Sequence, residues 1–109
     1  MQNELTKKKC VPCEGGVPRL DAAQVAVLLA QVSGWQAVED NRKLHKRFVF
    51  DDFRGAMAFV TKMALVAEAE GHHPDFTVRY SVVDVTVYTH AIGGLSENDF
   101  ILAAKVDGL

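Results

Sequence analysis

Between Gly71 and Pro74 the chain changes its hydrophobic period, and that break limits what it can fold into. Ahead of it, Phe53, Ala56, Met57, Val60, Met63, Ala64 and Ala67 recur at helical spacing and form an apolar stripe, read as core. Behind it, Phe76, Val78, Tyr80 and Val82 alternate with Thr77, Arg79 and Ser81, the period of a half-buried strand. Gly71 suits a left-handed helix end, and Pro74 biases His73 toward extended backbone, so the helix cannot resume. A long helix must therefore hand over to a strand within a few residues. The connection carries His72-His73-Pro74.

The same succession occurs once before. Asp21 and Gln24 form a capping box ahead of Val25, Leu28, Leu29 and Val32, and Gly34 is expected to stop that helix. Residues 35–38 and 44–50 read as strands around the turn residues Glu39, Asp40 and Asn41. Leu44, Phe48 and Phe50 share one face, with Lys46 interrupting it. Asp51 or Asp52 caps the long helix. Val85 and Val87 resume alternation in the opposite parity, which places the turn of a second hairpin around Val83 and Asp84. Ser96-Glu97-Asn98-Asp99 is a second capping box, opening a helix whose Phe100, Ile101 and Ala104 face inward.

The order α-β-β-α-β-β-α predicts an α+β two-layer sandwich, a four-stranded antiparallel sheet with three helices on one face. Residues 20–109 form its single domain, and residues 1–19 an irregular arm. Phe59 and Val66 lie off the main stripe and suggest a second buried face, against another subunit.

A net charge of -2 argues against a general nucleic-acid binder, which needs surplus Lys and Arg to neutralise phosphates. Arg42, Lys43, Lys46 and Arg47 read as a solvated strand surface. No run of about eighteen apolar residues suggests a membrane span, and residues 1–9 carry no apolar signal core. A cytoplasmic protein with unbridged cysteines is expected. Cys10-Val11-Pro12-Cys13 has the spacing of half a zinc knuckle or a redox motif. It lacks a second Cys pair, and His45, His72, His73 and His90 include no pair at zinc-finger spacing, so it reads as part of the arm.

The titratable residues gather near one rim. His72 and His73 lie at the helix-to-strand corner, Glu68 one helical turn earlier, His90 at the end of the second hairpin, and Asp99 in the first turn of the last helix. Histidine titrates near neutrality, so two of them can serve as acid and base without large tuning. Adjacent histidines on extended backbone splay apart and seldom share a metal. Each residue also has a purely structural explanation, Asp99 most completely, as a capping-box residue.

Glu68, His72-His73-Pro74, Phe76, Tyr80, Thr89-His90, Gly94-Leu95-Ser96 and Asp99 together resemble the pterin-4a-carbinolamine dehydratase family. The pattern T-H-x₃-G-L-S-x-x-D after HHP is specific, and it covers about a third of the chain. The family usually has Trp where this chain has Phe76, which keeps an aromatic wall. The resemblance implies a carbon–oxygen lyase that removes water from 4a-hydroxytetrahydropterin, the product of aromatic amino acid hydroxylases, giving quinonoid dihydropterin. It implies no metal or other cofactor, the pterin being the substrate. Carried over by position, His72 and His90 are the acid–base pair, His73 holds the pterin, and Asp99 positions His90. Glu68, His73, Pro74 and Phe76 would contact the substrate.

The family also implies a homodimer or homotetramer, with no direct nucleic-acid or membrane partner. The Cys10/Cys13 arm looks like extensions seen on some bacterial members. Two other classes compete with the dehydratase. One is a non-catalytic interaction protein, since some family members serve as dimerisation cofactors or look like assembly chaperones. The other is a metal-dependent hydrolase using His72, His73 and His90, for which the adjacent pair is poorly disposed.

Overall fold

Leu44 and Val87 face one another across the two central strands, both fully buried, and the layers are built about them. The computed structural model describes residues 4–10 and 18–109. A 3₁₀ turn at Glu4–Lys7 precedes α1 (Ala22–Leu29), β1 (Gln36–Val38) and β2 (Lys43–Val49). Then come α2 (Phe53–Glu70), β3 (Asp75–Arg79), β4 (Val82–Val87), a 3₁₀ turn at His90–Ile92, and α3 (Glu97–Asp107). The strands form one antiparallel sheet in the order β1-β2-β4-β3. Leu44, Val83, Val85 and Val87 point to the covered face, against the helices. This is the two-layer α+β class that the element order predicts. Among the described residues no helix is long and apolar enough to cross a membrane.

The caps do what the sequence asks of them. Asp21 accepts from the Gln24 N–H at 2.8 Å while the Gln24 side chain accepts from the Asp21 N–H. Asp52, rather than Asp51, caps α2 through the Gly55 N–H at 2.8 Å. Gly71 ends that helix with φ 65°, a left-handed geometry that costs a glycine nothing. Helix α1 closes at Leu29, before Gly34, because the chain tightens into i→i−3 bonds from Gln31 to Leu28 and from Val32 to Leu29.

Three expectations change. The hairpin turns at Tyr80-Ser81, since Arg79 pairs with Val82 and Val78 with Val83. A two-residue loop itself reverses parity, and apolar Val82 prolonged the first run past the true turn. Tyr80 takes φ 53°, so the usual glycine or asparagine signal is missing. The buried stripe of α2 is also rotated. Phe59 is 6% exposed and packs on Phe48 and Phe50, with ring centroids 4.6 and 5.1 Å away. Phe53, Met57 and Ala64 lie outside. A helix apolar on nearly all sides does not announce which side is inward. Finally, residues 4–10 are part of the packing: Leu5 is 1% exposed and its turn lies on α3. That cover explains why α3 is buried almost all round, from Asn98 to Ala104.

The other sheet face is polar. Asp84 at its centre accepts from Arg47 Nε at 2.9 Å and Arg79 Nη2 at 2.7 Å, and pairs with His45 Nε2 at 3.0 Å. These hydrogen bonds, Arg47's foremost, hold its carboxyl at a pKa of about 2 despite some burial. Lys46 meets Asp107 at 2.8 Å, so the basic cluster is partly engaged in specific pairs rather than simply solvated.

Candidate active site

Two corners of the fold meet at one rim because β3 and β4 are neighbours. The His72 N–H closes the end of α2 on the Ala67 carbonyl, and the chain passes through His73 and Pro74 into β3. Opposite, Thr89 and Gly94 pair through their backbones and pinch off the turn that carries His90. The chain then reaches Ser96 and the first turn of α3, where Asp99 sits.

Asp99 has no exposed surface. Its Oδ1 lies 2.6 Å from His72 Nε2. Its Oδ2 accepts from Thr89 Oγ1 and from the Ser96 N–H, each at 2.8 Å. Three donors thus compensate a carboxylate that burial would otherwise penalise. The expectation that Asp99 positions His90 is corrected: its imidazole partner is His72. Alternation along the extended chain explains this, since Thr89 turns inward to Asp99 and its neighbour His90 turns outward.

His90 is exposed and stacks on Tyr88, with centroids 4.1 Å apart and planes at 31°. Lys43 Nζ lies 4.5 Å above the same tyrosine ring. His73 splays away from His72, and its Nε2 meets Glu68 Oε1 at 2.7 Å on the surface.

His72, His73, Pro74 and His90 line a cavity of about 500 Å³. Glu68 and Phe76 belong to an adjoining, more apolar hollow of about 370 Å³ that shares His73 and Pro74. The sequence-predicted residues therefore divide between two neighbouring depressions, except Asp99, which is buried and lines neither. Among the described residues no group of three His, Cys, Asp or Glu side chains is placed to hold a metal ion.

Sequence reasoning missed Cys10, Glu70 and Asn98 in the larger cavity. Glu70 accepts from the Cys10 N–H at 2.8 Å and from Lys105 Nζ at 2.7 Å. Both bonds, the lysine's first, hold its carboxyl below the usual range despite burial. The Cys10 thiol reaches the Asn98 carbonyl at 3.5 Å. Burial, then the Glu70 charge, pushes its pKa to about 12. A signal for Glu70 did exist: it continues the buried series Ala56, Phe59, Met63 and Ala67, where a carboxylate needs a partner. The spacing of Cys10 and Cys13 suggested a metal or redox motif, not a place in this cavity. Cys13, its companion in the motif, lies outside the described residues.

A family model described as pterin 4 alpha carbinolamine dehydratase matches residues 18–109. A protein of Halorhodospira halophila, provisionally named pterin-4-alpha-carbinolamine dehydratase, is 50% identical over 105 residues, covering 96% of each chain. One of the same provisional name from Aromatoleum aromaticum is 46% identical over all 109 residues, 97% of its own length. A transcriptional coactivator/pterin dehydratase from Brucella melitensis superposes with a TM-score of 0.79 at 36% identity, over 83% of this chain and 96% of that one. A pterin dehydratase-like RuBisCO assembly factor of the alpha-carboxysome superposes at 0.60 with 26% identity, over 69% and 87%.

Proposed function

The chain belongs to the pterin-4-alpha-carbinolamine dehydratase family, and from that premise we propose that it dehydrates 4a-hydroxytetrahydropterin to quinonoid dihydropterin by histidine acid–base catalysis. The observation that carries the reading is the hydrogen bond between buried Asp99 and partly exposed His72, which lines a cavity together with His90.

The reaction breaks the C4a–O bond, removes the proton from N5, and leaves a C4a=N5 double bond. One group must protonate the departing hydroxyl and another must accept the N5 proton. If Nε2–H of His72 donates to Asp99, its Nδ1 carries the lone pair that a base requires. His90, exposed on the same cavity, then delivers the proton that turns hydroxyl into water. Each transfer of this kind lowers the barrier by about 3–5 kcal/mol. His73, steadied by Glu68, and Pro74 and Phe76 beside it flank and orient the pterin. No metal or cofactor enters this scheme, the pterin being the substrate. In the cell it would act in the cytoplasm, recycling the pterin of an aromatic amino acid hydroxylase.

A purely interacting role, as the name of the carboxysome assembly factor describes for that protein, would not require a buried carboxylate committed to an imidazole. The deciding experiment follows loss of freshly generated 4a-hydroxytetrahydropterin. Purified protein should accelerate it, and His72→Ala and His90→Ala should each lower kcat at least tenfold, the lower end of what a single acid or base contributes being about a hundredfold. Normal turnover in either variant removes that residue from the scheme. No acceleration by the unaltered protein favours the interaction role.

A further inference from the structure

We infer that residues 4–10, which lie before the part of the chain matched by the family model, bring Cys10 into the wall of the substrate cavity, where it adds to the affinity for the reduced pterin; this rests on the pterin reading above. Three attachments hold the segment in place. Leu5 is buried against α3, and Lys8 Nζ meets Glu97 Oε2 at 2.9 Å. At its end Cys10 is tied twice, by its N–H to Glu70 and by its thiol to the Asn98 carbonyl.

Those anchors are informative in their placement. Glu70 is the last residue of α2, two before His72, and Asn98 adjoins Asp99. The segment is therefore fixed to the same two turns that position His72 and the buried Asp99. Cys10 lines the same cavity as His72 and His90, which brings it within reach of a ring bound there. Its surface is also chemically suited to a flat, uncharged heterocycle. With a pKa of about 12 the thiol is protonated near neutrality, so it presents a polarisable, uncharged face and reacts only slowly with electrophiles. A contact of this kind is made equally with bound substrate and transition state, so its loss raises KM and spares kcat.

The test uses the full chain carrying Cys13→Ser, which leaves Cys10 as its one cysteine. Alkylation of Cys10 by N-ethylmaleimide is followed by mass spectrometry with and without saturating 7,8-dihydrobiopterin. Bound pterin should slow labelling at least tenfold. In parallel, Cys10→Phe, which intrudes on the cavity, should raise KM for the carbinolamine at least tenfold with kcat within threefold. A protein that turns over the carbinolamine, yet shows neither protection nor a changed KM, overturns this inference and leaves the dehydratase reading intact. A protein with no turnover and no pterin binding overturns both.

Discussion

The carboxylate of Asp99 serves three partners with its two oxygens: Oδ1 meets His72 Nε2 at 2.6 Å, while Oδ2 accepts from Thr89 Oγ1 and closes the first turn of α3 on the Ser96 N–H, each at 2.8 Å. Capping and orienting the imidazole are thus one arrangement rather than alternatives. Asp99→Asn keeps one accepting oxygen but turns an amide N–H₂ toward a donor. It should cost about 1–3 kcal/mol of stability, the scale of an unsatisfied buried group, and lower kcat at least tenfold. In double-mutant cycles on kcat it should add little to His72→Ala and its full factor to His90→Ala. Full additivity with His72→Ala would show that Asp99 acts on turnover by another route.

Turnover should survive exhaustive chelation. His72 Nε2 is committed to Asp99 and His73 turns outward to Glu68, so the three histidines do not converge as ligands. Dialysis against EDTA, followed by metal analysis and assay, should give an unchanged kcat. Activity lost with the metal and restored by zinc would refute the acid–base scheme.

The uncovered side of α2 should be an association surface. Phe53, Met57 and Leu65 lie on it, Phe53 52% and Leu65 69% exposed, with Thr61 between the last two at the same spacing of four. Light scattering at tens of micromolar should give a dimer or larger, and Leu65→Lys should shift it toward monomer. A monomer before substitution would mean that this side stays bare, since a stable interface buries about 1,200 Å² or more. Phe59, expected from sequence to lie at such an interface, is instead a core residue.

The polar sheet face should make stability pH-dependent in acid. Asp84 has a folded pKa of about 2, against an ordinary value of 3.8, through Arg47, Arg79 and His45. A depressed carboxyl stabilises the fold above its unfolded value, and the benefit disappears as pH falls through the folded one. Both arginines are more than half exposed, so screening should leave Asp84→Asn costing only about 1 kcal/mol at neutral pH. Urea unfolding should show that gap narrowing from pH 4 toward pH 2. A gap constant across that range would mean packing rather than charge carries the effect.

What sequence could and could not disclose follows from how far each signal reaches. Caps and breaks act within four residues, so Asp21, Asp52 and Gly71 were readable as helix ends. The rim was readable too, because HHP and the Thr89-His90 corner are each local. Which histidine Asp99 would meet was not, for it depends on which of two consecutive side chains, Thr89 or His90, turns inward at the end of β4. The facing of α2 escaped for a different reason: with apolar residues on nearly every side, only the neighbouring Phe48 and Phe50 decide that Phe59 goes in. Leu5 and Cys10 gave no periodicity at all, since a single buried side chain in a short irregular segment has no pattern to repeat.

Leu5 has a practical bearing on where this domain can be cut. A protein engineered to start at residue 18, the first position the family model matches, would remove the leucine that covers α3 and the thiol beside the cavity. Emptying a leucine-sized site in a close-packed interior costs about 2–5 kcal/mol. That is a large share of the total stability of about 5–15 kcal/mol available to a small domain. Such a shortened protein would keep every histidine and still be a poor surrogate, with an apolar scar where water had been excluded.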